Sequence, residues 1–120
     1  MQMVLIIDDE LKILTIYTRL LVEAGYVVRW ASDATRATNI LLREGVDLVL
    51  LDLKMPRIDG KIMYGVIQEF NPRLKIIVSS VYSVEKQKQI IPMAFDYFDK
   101  SESPMMLLSK IQEAFHVNNN

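Results

Sequence analysis

VDLVLLDLKMPRIDG, residues 46–60, is an apolar run that ends on a carboxylate. Val46, Leu48, Val49, Leu50 and Leu51 leave almost no polar face, the pattern of a strand buried on both sides in a parallel sheet. Asp52 then closes the strand. A buried charge without a partner costs several kcal/mol. Either a neighbouring group neutralises Asp52, or the carboxylate is placed there to react. Beyond it Met55-Pro56 marks a loop, and Asp59 starts a helix running to about Phe70 that Asn71-Pro72 breaks.

Outward from this centre the alternation recurs. MVLIID (3–8) is a buried strand, followed by a helix with Leu11, Leu14, Thr18, Leu21 and Val22 at helical spacing, capped by Asp9 and closed by Gly25. YVVRWA (26–31) is a strand rich in aromatic and β-branched residues. Asp33 caps the helix ATRATNILLRE, which Gly45 ends. LKIIVSS (74–80) is a fourth strand, 84–93 a weak helix ended by Pro92, and AFDYFDK (94–100) a short fifth strand. Ser103-Pro104 is an N-cap and first-turn pair for a last helix with Leu107, Leu108, Ile111, Ala114 and Phe115 on its apolar face. Five alternations of strand and helix favour an α/β fold with parallel strands and helices on both faces.

The bulk numbers exclude several classes. A length of 120 residues favours one domain, over 1–117, with 118–120 as a frayed tail. Fourteen basic and fifteen acidic side chains give a net charge of -1, which argues against direct nucleic-acid binding. Cysteine is absent, so there is no disulfide framework and no thiol nucleophile. No apolar run approaches the ~20 residues that span a bilayer, and VLII after Met1 is too short for a signal peptide. The expected location is the cytoplasm.

In such sheets ligands bind beyond the carboxyl ends of the strands. The strands deliver there Asp8 and Asp9 with Glu10 next, then Asp52, then Ser79 and Ser80, then Lys100. Two carboxylates ~5 Å apart repel by about 3 kcal/mol at an effective dielectric near 20, and one lysine cannot cancel three of them. A divalent cation can. Mg2+ takes oxygen ligands, keeps several waters and binds through a few carboxylates plus a phosphate; Asp8, Asp9 and Asp52 suit it, a backbone carbonyl just after Asp52 can add a ligand, and Mn2+ is a substitute. Asp52 beside such an ion can act as a nucleophile toward a phosphoryl group, with Lys100 and a serine hydroxyl taking the remaining charge.

LIIDDE (5–10), LVLLDLKMPRIDG (48–60), IIVSS (76–80) and FDYFDK (95–100) resemble, in order and along essentially the whole chain, the receiver domain of two-component response regulators. The resemblance implies a flavodoxin-like (βα)5 sandwich with strand order 2-1-3-4-5. It implies that Asp52 takes a phosphoryl group from the phosphohistidine of a sensor histidine kinase or phosphotransfer protein. Asp8 and Asp9 match the metal-binding acids, Lys54 the residue whose main-chain carbonyl binds the metal, and Lys100 the family's lysine. Ser80 best matches the switch hydroxyl, with Ser79 as the alternative, and Tyr97 matches the switch aromatic, which moves inward. The face of the fourth helix, fifth strand and fifth helix would then carry the output, and a weak homodimer could form through it.

Three departures bear on the switch. Ser101 follows Lys100 where the family commonly has a proline, often after a cis peptide. Val81 follows Ser80 where alanine or glycine is usual, and its branch could narrow access to Asp52. The stretch from Ser80 to Lys100 is short, with Met93 where glycine is common, so the fourth helix should be short or irregular.

Two other functions compete. A phosphatase with an aspartyl nucleophile usually has a second acid two residues on, as general acid; here that residue is Lys54. A degenerate receiver would only mediate protein contacts, which the intact acids oppose. The phosphoacceptor reading makes the chain no turnover enzyme. No output domain follows residue 116, so the protein acts on a downstream partner or is part of something longer. Elsewhere the blander readings hold: Trp30 as an edge-strand residue, Met105-Met106 as packing at a helix start, EKQKQ (85–89) as a solvated helix face, and His116 as a charge suited to a helix C-terminus.

Overall fold

A computed structural model describes residues 1–117; the expected frayed tail, 118–120, lies outside the described residues. Strands β1 (Met3–Ile7), β2 (Val27–Ala31), β3 (Leu48–Asp52), β4 (Lys75–Ser80) and β5 (Asp96–Asp99) alternate with helices α1 (Leu11–Glu23), α2 (Ala34–Arg43), α3 (Gly60–Phe70), α4 (Val84–Ile90) and α5 (Pro104–His116). All pairings are parallel, in the order β2-β1-β3-β4-β5. The order reverses between β1 and β3, and their carboxyl ends carry Asp8 and Asp52.

Strand alternation splits the core into two layers. Leu5, Ile7, Val49, Leu51 and Ile76 pack against α2 and α3. Val4, Ile6, Leu48, Leu50, Ile77 and Phe98 pack against α1 and α5. Every residue of β3 is buried, as a central strand covered on both faces requires. Among the described residues no helix is long and apolar enough to cross a membrane.

The caps follow the sequence in part. Asp33, Asp59 and Ser103 each accept a hydrogen bond from a backbone N–H in the first turn of their helices. Gly25 has φ of +97°; its N–H donates to Val22 O, and that of Tyr26 to Leu21 O, the paired closure that a left-handed residue after a helix permits. Asp9 does not cap α1. The N-cap is Glu10, with no side-chain hydrogen bond; Asp8 accepts from Glu10 N–H at 3.0 Å.

The inward face of α1 is also rotated from expectation. Leu14, Tyr17 and Leu21 are buried, whereas Leu11 and Val22 are exposed. Gln87, inside the supposedly solvated 85–89 face, is fully buried, and Met105 and Met106 are exposed at the start of α5 rather than packed. As expected, α4 is short, at seven residues, and Trp30 lies on the edge strand β2. His116 is exposed in the last turn of α5.

Gly60, the first residue of α3, lies hard against the strand that carries Asp52. A Cβ there would stand 2.7 Å from Leu53 Cα and 3.0 Å from Asp52 O. Gly60→Ala is therefore expected to destabilise the fold by ~2 kcal/mol through overpacking, read as a lower urea midpoint with an unchanged slope.

Candidate functional site

Parallel register brings the chemistry to one edge. Ile7 pairs with Leu51, so Asp8 and Asp52 follow side by side on β1 and β3. Asp52 pairs with Ser79, and Ser80 with Asp99, so Lys100 comes one step later, just past the end of β5. The side chain of Lys100 is only 7% exposed, and its Nζ lies 2.7 Å from Asp8 Oδ2 and 3.3 Å from Asp52 Oδ2. Lys100 is thus the group that neutralises Asp52, reaching across β4 to do so. The other oxygen, Asp52 Oδ1, accepts from Lys54 N–H at 3.0 Å.

Burial sets the electrostatics. It pushes the Asp52 carboxyl up to about 6, against the pull of Lys100 and the Lys54 amide and with the push of Asp8. Burial also works to lower Lys100, but its bonds to Asp8 and Asp52 overcome this and its ammonium is raised above its usual range. The carboxylate therefore sits in a place that tolerates its charge poorly.

Asp9 is exposed beside this pair, and oxygens of Asp8, Asp9 and Asp52 lie within 4.8 Å of one another. Oxygens sharing one Mg2+ stand at most ~4.2 Å apart, so small side-chain rotations bring all three onto one ion. Three carboxylates and one ammonium leave two negative charges, the charge of one divalent cation. The residues fit such an ion. In the loop after β3, Lys54 bridges to Asp59, with Met55 and Ile58 buried in the core beneath α2 and α3. A surface groove of about 850 Å³ lies beside α2, lined by Arg29, Arg36, Arg43 and Arg57.

Residues 4–112 match the family model of the response regulator receiver domain. The chain belongs to this family. It is 35% identical over 120 residues to a probable transcriptional regulator, ycf27, of Guillardia theta, covering 97% of this chain and 46% of the relative. It is 29% identical over 122 residues to the transcriptional regulatory protein ZraR of Klebsiella oxytoca, covering 92% of this chain and 28% of that one. The chain thus spans under half the length of these curated relatives. Among solved structures, the Thermotoga maritima response regulator TrrA, in complex with Mg2+-BeF, is 30% identical with a TM-score of 0.85, over 94% of this chain and 98% of that one. A CheY-like receiver domain protein from Methanospirillum hungatei is 28% identical with a TM-score of 0.87, over 95% and 93%.

Within this receiver domain the two serines point to opposite faces. Ser79 shares the face of Ile77, toward α1 and α5; Ser80 shares that of Val78, toward Ile91 and Tyr97. Ser80 Oγ accepts from Tyr82 N–H at 3.2 Å. Tyr97 is buried, its hydroxyl donating to Ile91 O and accepting from Ala94 N–H. Gln87 Nε2 donates to Tyr82 O and Phe98 O, both at 2.8 Å, tying the loop after β4 to β5. Among the described residues there is no cis peptide bond, so the Lys100–Ser101 link is trans. Val81 is 60% exposed at the mouth of the β4–α4 loop. Tyr17, which forms a buried edge contact with Phe98 at 6.4 Å, and Gln87 are the residues near this region that sequence reasoning missed. Tyr17 had a signal, since it stands three residues after Leu14.

Proposed function

We propose that this receiver domain is a phosphoacceptor in which Asp52 takes a phosphoryl group from the phosphohistidine of a sensor histidine kinase or phosphotransfer protein. The observation that carries the reading is the buried Asp52–Lys100–Asp8 bridge, with Asp9 within reach of the same ion. Asp52 Oδ1 is held by the Lys54 amide, which leaves Oδ2 to attack phosphorus. The new O–P bond forms as the P–N bond to the donor imidazole breaks, and the imidazole leaves with the electron pair. Lys100 moves from the carboxylate to a phosphoryl oxygen, keeping its charge compensated throughout. Asp8, Asp9, Asp52 and the Lys54 carbonyl would hold Mg2+, which when bound supplies charge neutralisation for the phosphoryl oxygens.

One phosphoryl group per molecule is taken up, without turnover, in the cytoplasm where the donor's kinase domain works. Ser80 then exchanges its bond from Tyr82 for one to a phosphoryl oxygen. Only such a differential interaction can bias two conformations, and here it pulls on the loop that Gln87 ties to β5. The α4–β5–α5 face carries the change to a downstream protein or to a further domain of a longer chain.

Incubation with acetyl phosphate and Mg2+ followed by intact-mass measurement tests this. One added phosphoryl group, lost in acid and to hydroxylamine, is expected, and modification that persists without Asp52 would overturn the reading. Val81→Ala should take up the group severalfold faster from acetyl phosphate; equal rates would remove the steric role given to Val81.

A further inference from the structure

The Lys100–Asp52 bridge passes over β4, and the residue beneath it is Ser79. Ser79 pairs directly with Asp52 on one side and with Phe98 on the other, so Lys100, two residues after Phe98, is its diagonal neighbour on the same face. Ser79 is 1% exposed, and its Oγ has no hydrogen-bond partner among the described residues. Tyr17 covers it from α1, its ring edge-on to Phe98; the Tyr17 hydroxyl lies close enough to Ser79 for a side-chain hydrogen bond between them to work against its burial, after Lys100 and Asp8, yet Ser79 Oγ has no partner within hydrogen-bond geometry.

A small residue is needed here because Lys100 must cross. An alanine would give that room without stranding a buried hydroxyl, an arrangement proteins avoid. The orphan therefore calls for a state in which it is used. The ammonium of Lys100 has three donors, and the two oxygens it holds, Asp8 Oδ2 and Asp52 Oδ2, belong to the carboxylates that would turn to a divalent cation. An ammonium only 7% exposed that loses them needs another acceptor.

We propose that Ser79 is a positioning residue whose hydroxyl receives the Lys100 ammonium when Asp8 and Asp52 turn their oxygens to a divalent cation. This assigns Ser79 a role apart from the switch and rests on the metal-binding part of the function proposed above. Ser79 acts on the Lys100 side of the sheet and Ser80 on the α4 side, so the two hydroxyls serve different groups.

Calorimetric titration with Mg2+ on wild type, Ser79→Ala and Ser79→Thr tests it, together with thermal melts in chelator. Ser79→Ala is expected to bind Mg2+ roughly tenfold more weakly, the worth of one hydrogen bond to a charged group, while its melting temperature in chelator is equal to or above that of wild type. Ser79→Thr, which keeps the hydroxyl but adds a methyl beside the crossing lysine, is expected to bind Mg2+ more tightly than Ser79→Ala and less tightly than wild type. Equal Mg2+ affinity in wild type and Ser79→Ala overturns the role of Ser79 and leaves the phosphoacceptor reading standing. A parallel fall in metal-free stability makes Ser79 a packing residue only. Absence of Mg2+ binding by wild type overturns this proposal and the metal set together.

Discussion

Asp52→Asn is expected to abolish acid-labile phosphoryl uptake and, at the same time, to raise the melting temperature of the metal-free protein. The first effect follows from removing the nucleophile. The second follows from burial, which lifts this carboxyl from 3.8 to about 6. A folded-state value above the unfolded one means that the folded protein holds the proton more tightly. Stability is then gained as pH falls from about 6 toward 4 and is missing above 6. Two pK units correspond to ~3 kcal/mol. That figure already contains the attraction of Lys100, which Asp8 still holds at 2.7 Å in the variant; discounted for solvent screening, the net gain is ~1–2 kcal/mol. For a domain of this size that is a rise of roughly 3–8 °C. The gain should vanish near pH 4, and Mg2+ should stabilise wild type more than the variant, since the variant offers one negative charge fewer to the ion. Modification of wild type should slow as pH drops through 6 in limiting Mg2+. A variant that melts lower than wild type at pH 7 would mean that Asp52 is a structural ion-pair partner and not a strained nucleophile.

How much of this could be read beforehand depended on whether a signal was carried by chain order or by three-dimensional contact. The gathering of Asp8, Asp52, Ser80 and Lys100 followed from the apolar runs that end in them, because a parallel sheet collects its strand ends at one edge whatever the details between them; the strand order itself was implied only by the resemblance to receiver domains. The phase of α1 did not follow. Its sequence, LKILTIYTRLLVE, carries apolar residues around most of its circumference, so a face containing Leu11 and Val22 competes on pattern with the true one containing Leu14, Tyr17 and Leu21. What decides is where Phe98 and Ile77 stand, and only the folded sheet supplies that. Gln87 was read as solvated for the same reason: its neighbours are charged, and the loop and strand carbonyls that call for its amide, Tyr82 O and Phe98 O, come from other segments. The Asp9 cap failed because α1 begins at Leu11, with Glu10 in the N-cap position.

Lys100→Met should convert the domain into one whose folding depends on Mg2+. Methionine keeps most of the length and apolar volume of the lysine stem, so packing is little changed. The loss is the positive charge between Asp8 and Asp52, which are 2% and 4% exposed. Removing one partner of a buried charge cluster typically costs 3–5 kcal/mol, because what remains is an uncompensated buried charge. Here two carboxylates are left facing each other. Their repulsion, added to burial, raises Asp52 further above 6, so the variant takes up a proton to relieve it. Its deficit is therefore largest at alkaline pH and shrinks as pH falls through the raised value, the sign opposite to that of a salt-bridged carboxylate. Millimolar Mg2+ replaces the missing charge and should recover most of the lost stability. The melting temperature of Lys100→Met ought to climb with Mg2+ more steeply than that of wild type, in which the ion must first displace the ammonium. Melts across pH 5–9 with and without Mg2+ measure this directly. A variant as stable as wild type in chelator at pH 8, or one indifferent to Mg2+, would mean that the three carboxylates do not form the shared, charge-crowded site on which the proposed phosphoryl transfer to Asp52 depends.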